Sequence, residues 1–466
     1  MKNSLNYFLL ALILSFFQII FLNQGISFAD DTSLGRTPEG VYPMSDADIS
    51  MVSENVTVDI ENGIVECVFN FKNSGGPKDV LMGFPGKLDE KGDNTEEANL
   101  VLHDFKSYVN NVEIPVNTEK GINPKNVEIP QYRHYSEWYT FSVHFGEGEE
   151  KQVKNTYSFR STFNSIGHVF VGYILKTGAY WNDPIGYAKV TFKMGGIKPY
   201  EIKNLYPNNF RFEGNNLVWE RSSFEPAYDL KVVYTVRDYS EEFLKSIADT
   251  EWGEQFLKEK EDFEALLKEI GQADNRQLLN CHKKAVSEEK PVLAQYIRSR
   301  LPSGSISNEK PEIIGMTVEQ ADNEDSSNII IQVKDNYADQ VYSSFKIYHF
   351  EDGKNVTDLE YQDLLNSYES RYITASRYNF IFQPGVEYEI EYSVRDSIDQ
   401  YDEKSIKYIA GEDAKEKEKP AGNTGSTSAL PDTKECFSLF IIIPLIISVI
   451  LIFALIFIKK VIRLRN

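Results

Sequence analysis

From Ile49 to Val236 apolar and polar residues alternate in short runs broken by Asn, Gly and Pro, the period of strands that bury one face. Val56, Val58 and Ile60 alternate, Asn62-Gly63 supplies a two-residue turn, and Val65, Cys67, Phe69 and Phe71 alternate on the return, which predicts a hairpin. Further runs at Val101 to Phe105, Tyr139 to Phe145, His168 to Leu175, Ala188 to Met194 and Leu230 to Val236 predict an antiparallel β-sandwich over residues 30–238.

Between Tyr239 and Leu301 the period lengthens. Phe243, Ile247, Phe256, Phe263, Leu266, Leu267 and Ile270 recur at helical intervals up to Gly271, and a second helix is expected from Ser287 as its cap through Pro291 to Leu301. Residues 239–305 therefore read as a helical connector, packed against its neighbours or exposed as a partner-binding pair. Alternation returns at Ile313 to Val318, Ile329 to Val333, Ser344 to Phe350, Tyr378 to Phe382, Tyr388 to Val394 and Ser405 to Ile409, so residues 306–410 predict a second sandwich of immunoglobulin-like length.

The ends follow other rules. Cys436 to Ile458 is an uncharged apolar run followed by Lys459, Lys460, Arg463 and Arg465; at about 1.5 Å rise per residue it spans the hydrocarbon core, with residues 459–466 as a cytoplasmic basic tail. Lys2, the apolar Tyr7 to Leu22 and Ser27-Phe28-Ala29 predict a signal peptide over residues 1–29 cleaved after Ala29, or an uncleaved amino-terminal anchor; both readings export residues 30–435. Residues 411–435 have almost no large apolar side chain and read as a flexible spacer. The whole is a mainly β, single-pass ectodomain with one C-terminal transmembrane helix.

Composition narrows the partners. The chain has a net charge of −21, and the exported part is more acidic still because both ends carry only basic groups. An acidic surface excludes nucleic acid and anionic lipid as partners and favours cations or basic polymers. Aromatics make up 13% of the residues, which suits strand-dominated cores and aromatic faces. Three cysteines, Cys67, Cys281 and Cys436, are no disulfide framework; Cys67 and Cys281 either stay free or form one bridge between domains.

Three segments resemble known families. Asp48 to Glu54, Val80 to Pro85 and Leu175 to Trp181 together resemble an uncharacterised domain of secreted or membrane-anchored bacterial proteins, spanning about residues 40–236, and the resemblance implies a location without an activity. Phe382-Gln383-Pro384-Gly385-Val386-Glu387-Tyr388 resembles the proline-led corner of fibronectin type III and related immunoglobulin-like domains, which implies that Tyr388, with Pro384 and Gly385, staples the corner by bonding upstream backbone. Leu430-Pro431-Asp432-Thr433-Lys434-Glu435 resembles a Gram-positive cell-wall sorting signal, which implies cleavage after Thr433; Lys434 stands where those signals carry Gly, so retention in the cell membrane and attachment to the wall both stay open.

Candidate chemistry is sparse. The six histidines form no close metal-ligand pair, no nucleophile elbow or phosphate loop occurs, and Cys281-His282 point about 100° apart on a helix. Asp322, Glu324 and Asp325, and Asp335 and Asp339, mark two acidic loops that are either solvated or calcium-directed. Tyr132, His134, Tyr135 and Trp138, and Tyr180 with Trp181, are either sugar-stacking aromatics or core. The pattern points to a non-catalytic bacterial surface protein without cofactor, binding a glycan, a cell-wall component or another surface protein. The alternatives are an extracellular sensory or accessory subunit of a membrane complex, or an exported hydrolase with carboxylates converging in a cleft.

Overall fold

The alternation at residues 49–73 folds as an antiparallel hairpin of Ile49–Asp59 and Ile64–Asn73, in which Val58 faces Val65 and Val56 faces Cys67. The connection has four residues rather than the expected two. Asp59 holds it by accepting from the Asn62 amide and side chain at 3.1 Å each, the Ile60 amide turns away to the Lys193 carbonyl, and Gly63 takes the left-handed conformation, φ +63°. Val56, Val58, Val65, Cys67, Phe69 and Phe71 are all fully buried.

This computed structural model describes residues 40–44, 48–88, 102–122, 124, 135–163, 167–235, 241–321, 326–351, 354–363, 370–409 and 415–416. The leader with Ala29, Tyr132 and His134, the Asp322 to Asp325 loop, the remainder of the spacer, Thr433, the Cys436 to Ile458 span and the basic tail lie outside the described residues. Among the described residues no helix is long and apolar enough to cross a membrane.

The first β unit has three sheets. The largest runs, in spatial order, Arg211–Glu213, Asn216–Phe224, Ile185–Lys193, Ile49–Asp59, Ile64–Asn73, Glu150–Ser158, His103–Val109 and Val112–Ile114. It departs from the all-antiparallel expectation at one seam: Tyr187 to Lys193 pairs in parallel with Ser53 to Asp59. A parallel neighbour needs a crossover, and the intervening chain supplies it on a path that contributes strands to both of the other two sheets. Those sheets are Tyr42–Pro43, Lys78–Leu88, Tyr135–Phe145 and Asn117–Lys120, and Thr162–Phe163, His168–Tyr173, Leu230–Thr235 and Ile202–Tyr206.

Four helices follow: α1 (Glu241–Ile247), α2 (Glu251–Gln272), α3 (Asn275–Ser287) and α4 (Pro291–Arg298). The expected boundaries shift. Gly271 sits inside α2, and Ser287 ends α3 rather than starting the last helix, because Asp274 and Gln277 form a reciprocal capping box that starts α3 earlier, with both bonds at 2.8 Å. Pro291 opens α4 as expected. Val292, Ala294, Tyr296 and Ile297 of α4 bury against the first unit, where the Tyr296 and Phe212 rings meet at 5.2 Å. The connector is thus packed into the main core rather than standing free.

The second β unit stacks Glu312–Gln320, Ser327–Lys334 and Ile373–Phe380 in one sheet, and Lys354–Asp363, Gln340–Glu351, Glu387–Asp396, Tyr401–Ile409 and Lys415–Glu416 in the other. The Lys354–Asp363 strand has too few apolar side chains to betray itself by alternation, and Lys415–Glu416, expected in the spacer, adds a short edge. Ile329, Ile331, Phe345, Ile347, Ile390 and Val394 form this unit's own core. Ala338, Val341 and Tyr372 instead bury in the core of the first unit. All described residues belong to one compact unit.

Candidate functional site

The expected aromatic residues are brought together, but as core. Tyr42, in the two-residue edge strand, meets Trp138 edge-on at 5.3 Å and stacks on Tyr180 at 5.8 Å, while Tyr135 meets Trp138 at 5.3 Å. Trp138 is fully buried and Tyr135 nearly so. A ring with both faces covered cannot stack on a sugar, which overturns that role for Tyr135, Trp138 and Trp181. Trp181 diverges from its neighbour Tyr180 into the main core, where its Nε1 donates to the Val41 carbonyl at 3.0 Å and its ring lies 4.5 Å from Phe71. Half-buried Tyr180 has one face taken by Tyr42. Gly83 explains part of the Val80 to Pro85 string: a Cβ there would sit 2.6 Å from the Met44 sulfur, so glycine leaves room for the buried Met44 side chain.

A second buried constellation has no apolar logic. Glu54 is enclosed in the first unit, where the Tyr173 hydroxyl donates to its Oε1 at 2.6 Å and its Oε2 has no hydrogen-bond partner. Burial pushes its carboxyl up to about 7. Cys67 lies 4.0 Å from the hydroxyls of Tyr157 and Tyr173, and burial followed by the Glu54 charge pushes its thiol far up, so it is no nucleophile. Cys67 and Cys281 are both free thiols. His282 is held neutral, pulled down to about 4 by burial and then by the Arg298 charge.

The largest concentration of buried polar groups lies where the second β unit meets the first. Asp335 and Asp339, expected in a solvated or calcium-directed loop, are 1% and 0% exposed. The loop folds inward because its intervening residues do: Ala338 is core, and Asp335 Oδ1 accepts from the Tyr337 and Ala338 amides at 2.7 and 3.0 Å. Asp339 Oδ2 accepts from Asn308 at 2.9 Å and from the Ser397 hydroxyl. Asp396, also fully buried, accepts from the Ile398 and Gln400 amides at 3.0 and 2.8 Å and from the Gln400 side chain at 3.1 Å. Asp335 Oδ2 and Asp339 Oδ1 have no hydrogen-bond partner. Among the described residues no group of three or more His, Cys, Asp or Glu side chains is placed to hold a metal.

Facing these acids from α4 is Arg298, 9% exposed, its guanidinium 3.5 Å from the centre of the Tyr337 ring. It donates to the Asn208 carbonyl at 3.0 Å and to the Gln295 side chain, while its Nε and Nη1 are unpartnered. Burial raises the carboxyls of Asp335, Asp339 and Asp396, Asp396 to about 7; repulsion by Asp339 adds to the rise at Asp335 and Asp396.

Hydrogen bonds cross the joint around this cluster. Asn208 donates to the Tyr337 carbonyl at 2.9 Å, Tyr206 to the Val341 carbonyl at 3.0 Å, and Ser370 to the Leu205 carbonyl at 2.5 Å. Ser397 gathers three more: its hydroxyl accepts from Asn209 at 2.6 Å, and its carbonyl accepts from Tyr228 at 2.8 Å and Arg221 at 2.7 Å, while within its own unit the hydroxyl donates to Asp339. Sequence reading finds Asp335 and Asp339 but misplaces them, and misses Asn208, Arg298, Asp396 and Ser397. The one available signal is an Arg within the apolar helix Pro291–Arg298.

No family model and no curated protein matches the chain. Among solved structures, a provisionally named nutrient binding protein of Legionella pneumophila aligns at 18% identity and TM-score 0.36, covering 58% of this chain and 92% of its own. A provisionally named β-galactosidase of Bacteroides fragilis aligns at 10% identity and TM-score 0.15, covering 75% of this chain and 33% of its own. A β-galacturonidase of Eisenbergiella tayi, solved with galacturonate, aligns at 9% and TM-score 0.15, covering 73% and 35%. This chain spans about a third of the two glycosidases, and at these TM-scores its chemistry rests on its own residues alone.

Proposed function

We propose that the protein is a non-catalytic surface scaffold of the bacterial envelope, which presents two β units outside the cell membrane on one C-terminal helix, or on the wall if Thr433 is processed. The observation that carries the reading is the joint. Buried side chains from both units and from α4 close it, so while it is closed the surfaces on the two units face a partner in one relation. The carboxyls that do converge are sealed within that joint instead of lining a cleft, which gives the hydrolase reading no support at this place. The first unit's resemblance to an uncharacterised bacterial surface domain belongs to the same proposal.

An immunoglobulin-like second unit fits this reading. Its two sheets divide the strands as such sandwiches do, and the Tyr388 hydroxyl, at the start of the strand Glu387–Asp396, accepts from the Gln383 amide at 3.1 Å. The test is fractionation of native cells, followed by binding of the purified full chain to peptidoglycan and a glycan panel, alongside chromogenic glycosides. Membrane or wall recovery with saturable binding and no turnover is expected. Glycoside turnover, or recovery in the cytosol, overturns the proposal.

A further inference from the structure

We propose that the joint between the two β units is a proton-held latch, closed while the cluster of Asp335, Asp339 and Asp396 retains protons and released as these carboxyls ionise.

The argument starts from a count of charges inside the joint. Three fully buried carboxyls come from one loop and one strand end of the second unit, and two guanidiniums face them from the first unit and α4. Arg221 is committed elsewhere: it pairs with Asp399 and donates to the Ser397 carbonyl. Among the described residues Arg298 alone is left to balance three acids. The other titratable groups packed around them add no positive charge: Tyr228, Tyr337 and Tyr372 are neutral phenols, Glu289 beside Tyr372 is acidic, and His282 behind Arg298 is kept neutral. With every carboxyl ionised, two net negative charges would sit out of water, a state that proteins avoid by binding protons or by opening.

The unpartnered oxygens agree. Asp335 Oδ2 and Asp339 Oδ1 have no hydrogen-bond partner, which costs less for a neutral carboxyl than for a buried carboxylate. Ser397 supplies the mechanical link, since the same residue bonds Asp339 on one side and Asn209, Tyr228 and Arg221 on the other. The chain between α4 and the second unit, Pro302 to Ser305, is exposed and forms a turn in which Gly304 has φ +79° and Ser305 bonds back to the Pro302 carbonyl.

The sign follows from linkage. These acids bind protons more tightly in the closed joint than in water, so the closed state is fully favoured below the ordinary carboxyl range and loses that advantage as pH rises through the raised values, about 7 for Asp396. Between those limits the open-to-closed ratio rises by up to about tenfold per pH unit for each proton held.

Pulsed electron–electron distance measurement on the full chain in detergent tests this, with spin labels on cysteines placed at the exposed Asn215 and Glu403, Cys281 and Cys436 changed to Ser, and buried Cys67 retained. At pH 5.5 one narrow distance is expected, and at pH 8.5 a broadened distribution with a second population. Asp335→Asn and Asp339→Asn, which mimic the protonated group, should each keep more of the narrow population at pH 8.5. An unchanged wild-type distribution, an equal pH response in both Asn variants, or loss of circular dichroism in step with the broadening each overturns the latch.

Discussion

Glu54 in the first unit and the three acids at the joint are the same chemical problem in two mechanical settings. Glu54 is a single carboxyl with a phenol donor at 2.6 Å, deep among Val56, Cys67 and Tyr173, where every neighbour belongs to one core. The joint holds three carboxyls and a guanidinium between two cores, with Ala338, Val341 and Tyr372 as its apolar contacts with the first unit. Ionisation therefore has different outlets: at Glu54 it costs stability of the whole unit, and at the joint it is relieved by separation. The difference teaches that a buried acid is a structural load or a switch according to what surrounds it, and that its raised pKa alone does not say which.

The largest effect is expected from Arg298→Ala. It leaves the acids without their one available cation and strips the face of Tyr337, and breaking a buried charge arrangement from one side costs about 3–5 kcal/mol. The loss should be greatest near pH 8 and smaller near pH 5, where the carboxyls hold protons. Denaturant unfolding of the full chain would show two transitions in place of one at the higher pH. Lys should not restore the contact, because the flat stacking on Tyr337 needs a planar guanidinium. A single unchanged transition would break the comparison, since the joint would then carry no independent weight.

Next comes Glu54→Gln. Glu54 is raised from 4.5 to about 7, so its contribution is fully present below pH 4.5 and lost as pH rises through 7; at 1.36 kcal/mol per unit that is about 3 kcal/mol. The amide keeps the shape and cannot ionise. Between pH 5 and 8 wild type should lose more stability than the variant, by about this amount, the variant's remaining pH dependence coming from the joint, as read from urea midpoints. The interdomain distance distribution should not respond to this substitution, which separates the two settings directly.

How far each region could be read in the sequence differs for a physical reason. Hairpin, sandwich strands and the second unit's core announce themselves because one-sided burial forces alternation, as at Val56 to Phe71 and Tyr388 to Val394. The Lys354–Asp363 strand escapes because its pairing is carried by backbone along a mostly exposed edge, and α3 escapes because its boundary lies in a capping box rather than in its apolar period. The joint is the least legible part. Asp335, Asp339 and Asp396 look like solvent-facing loop residues, and only the packing of Ala338, Val341 and Tyr372 into the other unit's core pulls them out of water. Burial by a distant segment leaves no local period. The aromatic residues fail in the opposite direction, since Trp138 looks available until Tyr42 covers it from the amino-terminal strand.

The smallest effect sharpens the comparison by touching neither acid site. Tyr388→Phe removes the hydroxyl that accepts from the Gln383 amide at 3.1 Å but leaves the ring packed against Phe382 at 5.0 Å. Because Gln383 is exposed, its amide can turn to water, so the net loss should be about 1 kcal/mol. That loss should be independent of pH from 5 to 8 and confined to the second unit, seen as faster amide exchange at Glu387–Asp396 with unchanged exchange at Ile49–Asp59. If Tyr388→Phe also broadened the distance across the joint, the joint's closure would depend on the internal order of the second unit, and the carboxyl cluster would no longer be the separate element that the contrast with Glu54 requires.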